Sequence, residues 1–293
     1  MSDDRDKPRW SQERRLRFIE FRLFWEGAIN RGDIMAAFDV SVPQASKDLS
    51  LYREMAPGNL VYDPSERRYF AGADPKPIFG ESSADQYLNQ LRSIADGIIE
   101  KSASWLDWMP SIDVAITPRR DVDRRVLRDV LQAIREARSV EIRYQSMNPN
   151  RPEPIWRRIT PHALGFDGFR WHARAFCHLS DSFKDFLLPR MLGTRRLDKP
   201  GAGGDDDRAW HEEAVLQIVP HPKLTPSQQA VVAQDYGMTD HRLDLPVRLA
   251  MLFYTTRRLG LDRDPETVDP RRQHIVLQNF KAIEQTLQAI GPP

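Results

Sequence analysis

The stretch FDVSVPQASKDLSLYREM, residues 38–55, decides how the first part of the chain is read. At 100° per residue Val42, Ala45, Leu49 and Tyr52 fall on one face of a helix, and Pro43, Gln44, Ser46, Lys47 and Ser50 fall on the others. Ser41 and Pro43 are a helix-starting pair, and Pro57-Gly58 stops the run near Met55. The leading end is slim and polar. Such an end fits a major groove, where Gln44 is suited to adenine, Ser41 and Ser46 donate to phosphate or base, and Lys47 reaches phosphate or guanine. For this helix in isolation, an ordinary bundle helix with a polar face is the competing reading.

The flanks favour the first reading. Upstream, Trp10 to about Ile29 reads as an amphipathic helix with Leu16, Ile19 and Leu23 on one face and Ser11 as N-cap, ended by Asn30 and Gly32. A short second helix follows in GDIMAAF. Downstream, LVYDPSERRYF has two β-prone ends around Asp63-Pro64-Ser65-Glu66, a hairpin carrying Arg67 and Arg68. Three helices and a basic hairpin predict a winged helix-turn-helix. Its DNA-facing set is Ser41, Pro43, Gln44, Ser46, Lys47, Ser50, Arg67 and Arg68, with Arg14 and Arg15 adding local positive charge.

With 293 residues, the chain exceeds the roughly 100 to 200 of one domain, so two or three domains are expected. The 40% hydrophobic and 29% charged fractions are those of a globular protein, and no apolar run is long enough to span a bilayer. MSDDRDKPRW lacks an apolar signal region and Cys177 stands alone, so a cytoplasmic chain without a disulfide framework is expected. The net charge of +1 does not decide about nucleic acid. The distribution is more telling, because residues 119–196 are rich in arginine.

Beyond the hairpin, GADPKPIFGESS reads as a linker, ADQYLNQLRSIADGIIEKSAS as helical, and TPRRDVDRRVLRDVLQAIREARS as a helix opened by Thr117-Pro118. SVEIRYQS, IWRRITP, HALGF, FRWHARAFCH and SFKDFLLPRM read as strands of a small β domain. LDKPGAGGDDDRAW reads as a flexible break with solvated acids. In the tail, EEAVLQIVPHPKL is a strand and TPSQQAVVAQDYG a helix, while LDLPVRLAMLFYTTRRLGL and RRQHIVLQNFKAIEQTLQAI each read as strand or helix.

In RWHARAFC, alternation puts Arg170, His172, Arg174 and Phe176 on one side of a strand and Trp171, Ala173, Ala175 and Cys177 on the other. Neighbouring strands bring Arg158 and Arg190, and Tyr144 and Ser146 supply hydroxyls. Two readings stay open on these residues alone. One is an anion pocket; the other is a set of arginines paired with Asp185, Asp181 or Glu141 that coats the sheet.

The chain resembles the WYL-domain transcription regulators, with Tyr144 ending the first strand, Arg158 and Pro161 in the second, and Trp171-His172-Ala173 at the naming tripeptide. That tripeptide departs from the name at its second and third positions. RWHARAFC, FKDFLLPRM, SVPQASKDLSLYREMAPGNLVYD and VPHPKLTPSQQAVVAQDYGM are similar to the BrxR and CapW type, a subgroup associated with anti-phage defence. The resemblance implies an α+β chain: a winged helix-turn-helix (1–75), a helical linker region (76–135), an Sm-like β-barrel WYL domain (136–200) and a WCX-type dimerisation domain (201–293). It further implies a homodimeric repressor of a defence operon that binds inverted-repeat double-stranded DNA. Its regulatory ligand is an anion of nucleotide or nucleic-acid-fragment type at Tyr144, Ser146, Arg158, Arg170, His172, Arg174 and Arg190.

Other chemistry finds no support in the sequence. His172 and His178 lack a second ligand pair for zinc, GAGGDDD lacks the Lys-Ser/Thr of a phosphate loop, and Cys177 lies on the strand face opposite His172. No catalytic constellation, metal site or cofactor is expected. The alternative function is a single-stranded nucleic-acid sensor or adaptor without operator specificity.

Overall fold

A computed structural model describes residues 10–79, 83–115, 118 and 120–291. The chain divides into two compact units, Met1–Ile116 and Thr117–Pro293.

In the first unit, α1 (Trp10–Glu26) ends at Gly27, whose φ of 77° is the left-handed conformation glycine adopts freely. The helix is therefore shorter than its apolar pattern predicts. Ala28–Ile29 instead forms β1, and Asn30 opens α2 (Arg31–Phe38) through a reciprocal capping box with Asp33. After α3 (Val42–Met55), β2 (Leu60–Asp63) and β3 (Arg68–Ala71) form the hairpin, and β1 joins it in the order β1-β3-β2. Leu16, Ile19, Leu23, Ile29, Ile34, Ala45, Leu49, Tyr52 and Leu60 form the core. Val42, expected on the buried face, is 47% exposed. The buried stripe of α3 centres on Ala45, Asp48, Leu49 and Tyr52, and Val42 lies at its edge in a first turn that no earlier turn covers. The expected linker region contributes α4 (Ala84–Ala95) to this unit, packed through Leu91 against Phe21 with Leu106 and Trp105.

The second unit begins with α5 (Arg124–Arg135), N-capped by Asp123. Of the expected opener, Thr117 lies outside the described residues and Pro118 precedes the helix. Strands β4 (Ser139–Tyr144), β5 (Ile155–Phe166), β6 (Trp171–Cys177), β7 (Ser182–Leu187) and β8 (Met191–Asp198) form one antiparallel sheet in the order β7-β6-β5-β4-β8. IWRRITP and HALGF are a single strand with a register shift between Pro161 and Ala163, where a residue without N–H interrupts the ladder. β7 and β8 are edges, so the sheet is open rather than a closed barrel. Val126, Val130 and Ala133 of α5 pack on Val140, Ile142, Ile159, Ala173, Ala175 and Cys177.

The last part carries α6 (Arg208–His211), β9 (Glu213–Pro220), α7 (Pro226–Asp235), β10 (Leu243–Arg248), α8 (Leu249–Arg258), β11 (Ile275–Leu277) and α9 (Phe280–Ile290). Its sheet runs β10-β9-β11. Each of the two segments readable as strand or helix is a strand followed by a helix. Among the described residues no helix is long and apolar enough to cross a membrane.

The glycine- and aspartate-rich segment corrects the sequence reading. Asp207 is 1% exposed and accepts from Arg174 Nε (2.7 Å), Arg174 Nη2 (3.1 Å) and His162 Nε2 (2.9 Å). Glycine lets this chain lie against the sheet, since a Cβ on Gly204 would sit 2.9 Å from His162. Burial pushes the Asp207 carboxyl upward, but the bonds from His162 and Arg174 outweigh it and hold the pKa down to about 2. A pKa lowered on folding stabilises fully above the unfolded value near 4, and the contribution is lost as pH falls toward 2. Asp207→Asn is expected to lower stability by about 2 kcal/mol at pH 7 and to flatten the acid limb of a urea-denaturation series between about pH 4 and 2.

Candidate DNA-binding surface and anion pocket

Ser41 caps α3 in an extended conformation without a side-chain cap bond, so its hydroxyl is unspent, and it is exposed together with Pro43 and Lys47. Ser46 and Ser50 are half-buried. Gln44 is also half-buried, with Nε2 donating to Asp48 Oδ1 at 3.0 Å. Sequence reasoning missed the fully buried Asp48 beneath them. Arg15, expected to add surface charge, is buried and donates Nε to Asp48 Oδ2 at 2.6 Å, which withdraws it from any phosphate contact. Arg67 is exposed at the hairpin tip with φ 54°, and half-buried Arg68 follows on β3. Asp63 shapes that tip by accepting from Ser65 N, Ser65 Oγ and Glu66 N.

In the second unit, Tyr144, Ser146, Arg170, His172 and Arg190 line one cavity of about 520 Å³, together with Arg151, Arg157, Lys184, Asp185 and Tyr254. Arg158 and Arg174 do not line it. Arg158 sits on the other face of β5, where Nε donates to Ser139 Oγ at 2.9 Å and Nη2 to the Lys199 carbonyl. Arg174 is buried between Asp207 and Asp185, with Nη1 donating to Asp185 at 3.3 Å.

Asp185 in the cavity wall and Asp167 behind it are already answered. Asp185 also accepts from the Tyr254 hydroxyl at 3.0 Å, and burial with the Asp185 charge raises the Tyr254 pKa. Asp167 takes Arg170 Nε at 2.7 Å and His172 Nε2 at 3.1 Å. Burial raises Asp167, but the Phe169 amide, Arg170 and His172 prevail and bring it to about 2. Arg157 is different. It is 8% exposed, lies 5.5 Å from the centre of the Tyr144 ring, and keeps Nε and Nη2 buried without a hydrogen-bond partner. Burial, with the Arg151 charge nearby, lowers its pKa. No ion pair among the described residues engages Arg157, Arg151, Arg190 or Lys184, so a desolvated cation lies beside three others. Sequence reasoning chose the neighbouring Arg158. Extending the apolar row of Ile155 and Ile159 by alternation would have selected Arg157, which pairs in register with buried Ile142.

Three family models match the chain: the BrxR transcriptional regulator winged helix-turn-helix domain over residues 11–93, the WYL domain over 125–196, and the BrxR transcriptional regulator C-terminal dimerization domain over 213–283. A DNA-binding transcriptional repressor CapW from Stenotrophomonas maltophilia is 44% identical over 289 residues, covering 98% of this chain and 96% of its own. The chain belongs to the BrxR and CapW family of WYL-domain regulators. CapW repressors from Escherichia coli (strain KTE188) and Pseudomonas aeruginosa are 38% and 35% identical, each covering at least 97% of this chain and 94% of their own. Among solved structures, the proteasome accessory factor B/C of Arthrobacter aurescens aligns over 97% of this chain and 49% of its own at 15% identity, with a TM-score of 0.25.

In this BrxR and CapW family member, replacing Arg157 by an apolar residue of similar length removes an unpaired buried charge. Arg157→Met is expected to keep or raise the melting temperature, measured by thermal melts of the variant beside the parent protein.

Proposed function

We propose that the protein is a homodimeric, sequence-specific repressor of a phage-defence operon. Two copies of α3 read an inverted repeat from successive major grooves, and an anionic ligand of nucleotide type at the Arg157 cavity shifts the affinity for that operator. The observation that carries this reading is the contrast along α3. Ala45, Asp48, Leu49 and Tyr52 are buried, while Ser41 and Pro43 at the leading end and Lys47 one turn on face solvent, and Arg67 is exposed at the hairpin tip. In a helix-turn-helix that leading turn enters the groove, and the hairpin follows the backbone. Family membership and the names of the CapW relatives support the repressor assignment.

The ligand acts only through unequal affinity for two arrangements of the dimer. Reversing operator occupancy from nearly full to nearly empty takes about 5 kcal/mol of that difference. Cations left unpaired in the cavity supply such a difference if their spacing changes between the two arrangements.

Gel shifts with the DNA upstream of the protein's own gene test the reading. A discrete complex that survives competitor DNA is expected. Gln44→Ala should lower the ratio of operator to random-sequence affinity, whereas Arg67→Ala should weaken both alike and make the salt slope shallower by about one unit. Equal binding of single strands and operator duplex would instead identify a single-strand sensor.

A further inference from the structure

We propose that Asp48, held by Arg15, positions Gln44 so that α3 accepts adenine and rejects guanine at the base Gln44 meets. The proposal rests on α3 being the DNA-reading helix. A buried ion pair is a costly way to pack α1 on α3, because two apolar residues of similar volume commonly serve as well or better. The third arm of this cluster does something an apolar pair cannot. Asp48 Oδ2 takes Arg15 Nε at 2.6 Å, and Oδ1 takes Arg15 Nη2 at 3.3 Å and Gln44 Nε2 at 3.0 Å. Arg15 Nη1 is tied in turn to the Ser11 carbonyl at 3.0 Å. The carboxylate is thereby fixed against α1 and directed at a side chain four residues earlier on its own helix, one turn nearer the leading end.

An ionised carboxylate only accepts hydrogen bonds, so the Gln44 amide must turn its nitrogen toward Asp48 and cannot flip. The carbonyl Oε1 and the second N–H remain for a base edge. Adenine presents a donor, N6, beside an acceptor, N7, and matches that pair; guanine presents two acceptors, O6 and N7, and sets O6 against Oε1. An amide free to flip would offer its NH2 to guanine as well. Asp48 therefore acts through Gln44 as a positioning residue, and its effect lies in discrimination more than in affinity.

The test uses the full-length protein and the promoter duplex with every single base-pair substitution, measuring Kd for each by fluorescence anisotropy. Asp48→Ala alone would strand Arg15 in the core, so the informative variant is the double substitution Arg15→Met with Asp48→Leu. It removes the tether and keeps an apolar contact, with melting temperature as the check on folding. At the position where Gln44→Ala erases the adenine preference, the double variant should lose about tenfold of its preference for adenine over guanine. Binding to random duplex should be unchanged, and adding Gln44→Ala to the double variant should have no further effect on discrimination.

Asp48→Asn gives a second reading in a fold that keeps Arg15 hydrogen-bonded. Its carbonyl is claimed by Arg15 and its NH2 faces Gln44, which turns the glutamine over and shifts preference toward guanine. If Gln44→Ala erases the preference and neither Asp48 variant alters it, the positioning role is wrong and Asp48 is structural. If Gln44→Ala itself changes no preference, base reading by Gln44 is wrong and the proposal falls with it.

Discussion

A carboxylate with no access to water sits under the leading turn of α3, and the first unit is arranged to answer it. Asp48 is 0% exposed, and Arg15 from α1 meets it with two nitrogens. Removing one partner of such a pair costs about 3 to 5 kcal/mol, comparable to much of a small domain's net stability. The same contact holds α3 against α1 and leaves its first turn in solvent. A second buried carboxylate, Glu20, takes the Tyr52 hydroxyl at 3.1 Å and the backbone amides of Ile78 and Phe79 at 2.7 and 3.0 Å, tying the far end of α3 to the chain that leaves the hairpin. The helix is thus fixed near both ends by charge while its middle is fixed by Ala45 and Leu49.

The second unit separates arginines by whether they are answered. Arg174 binds two buried aspartates and joins the sheet to the segment entering α6; Arg158 holds the Ser139 hydroxyl and the Lys199 carbonyl. Both belong to the framework. Arg157 is as buried as Arg174 and has no carboxylate. An unanswered buried cation is unfavourable, and an anion beside it would relieve the cost. The aspartates around the cavity leave the Arg157 charge unanswered, because Asp167 and Asp185 are each held by another arginine and a second donor. His172, which lines the cavity, packs on Tyr254 with ring centres 4.8 Å apart and planes tilted by 48°, and so connects its wall to α8.

Most of the first unit was legible because its signals are local: an N-cap serine with a nearby proline, a helical apolar stripe, and an Asp-Pro-Ser turn between β-prone ends. Apart from Val42, its errors came from long-range pairing. Nothing local in EGAIN says that Ala28 and Ile29 will pair with Phe70 and Tyr69, so they read as the end of a helix. Asp48 carries no local sign of burial, because its partner Arg15 is 33 positions away. The Gly-Asp segment failed for the same reason: composition reads as a solvated linker, and only the fold brings Asp207 to Arg174. In the cavity, alternation correctly divided the residues of β6. It does not by itself find the lining, because Arg157 lies on the face of Ile159, which pairs with Cys177 on the side opposite His172, and the cavity draws on both faces.

The central claim is that the solvent-facing turn of α3 enters DNA from each half of a symmetric dimer. Hydroxyl-radical footprinting of the promoter at near-physiological salt tests it most directly. The account predicts two protected patches related by a dyad, centred about one helical turn apart. A promoter left uniformly cleaved at protein concentrations that saturate the gel shift would contradict it.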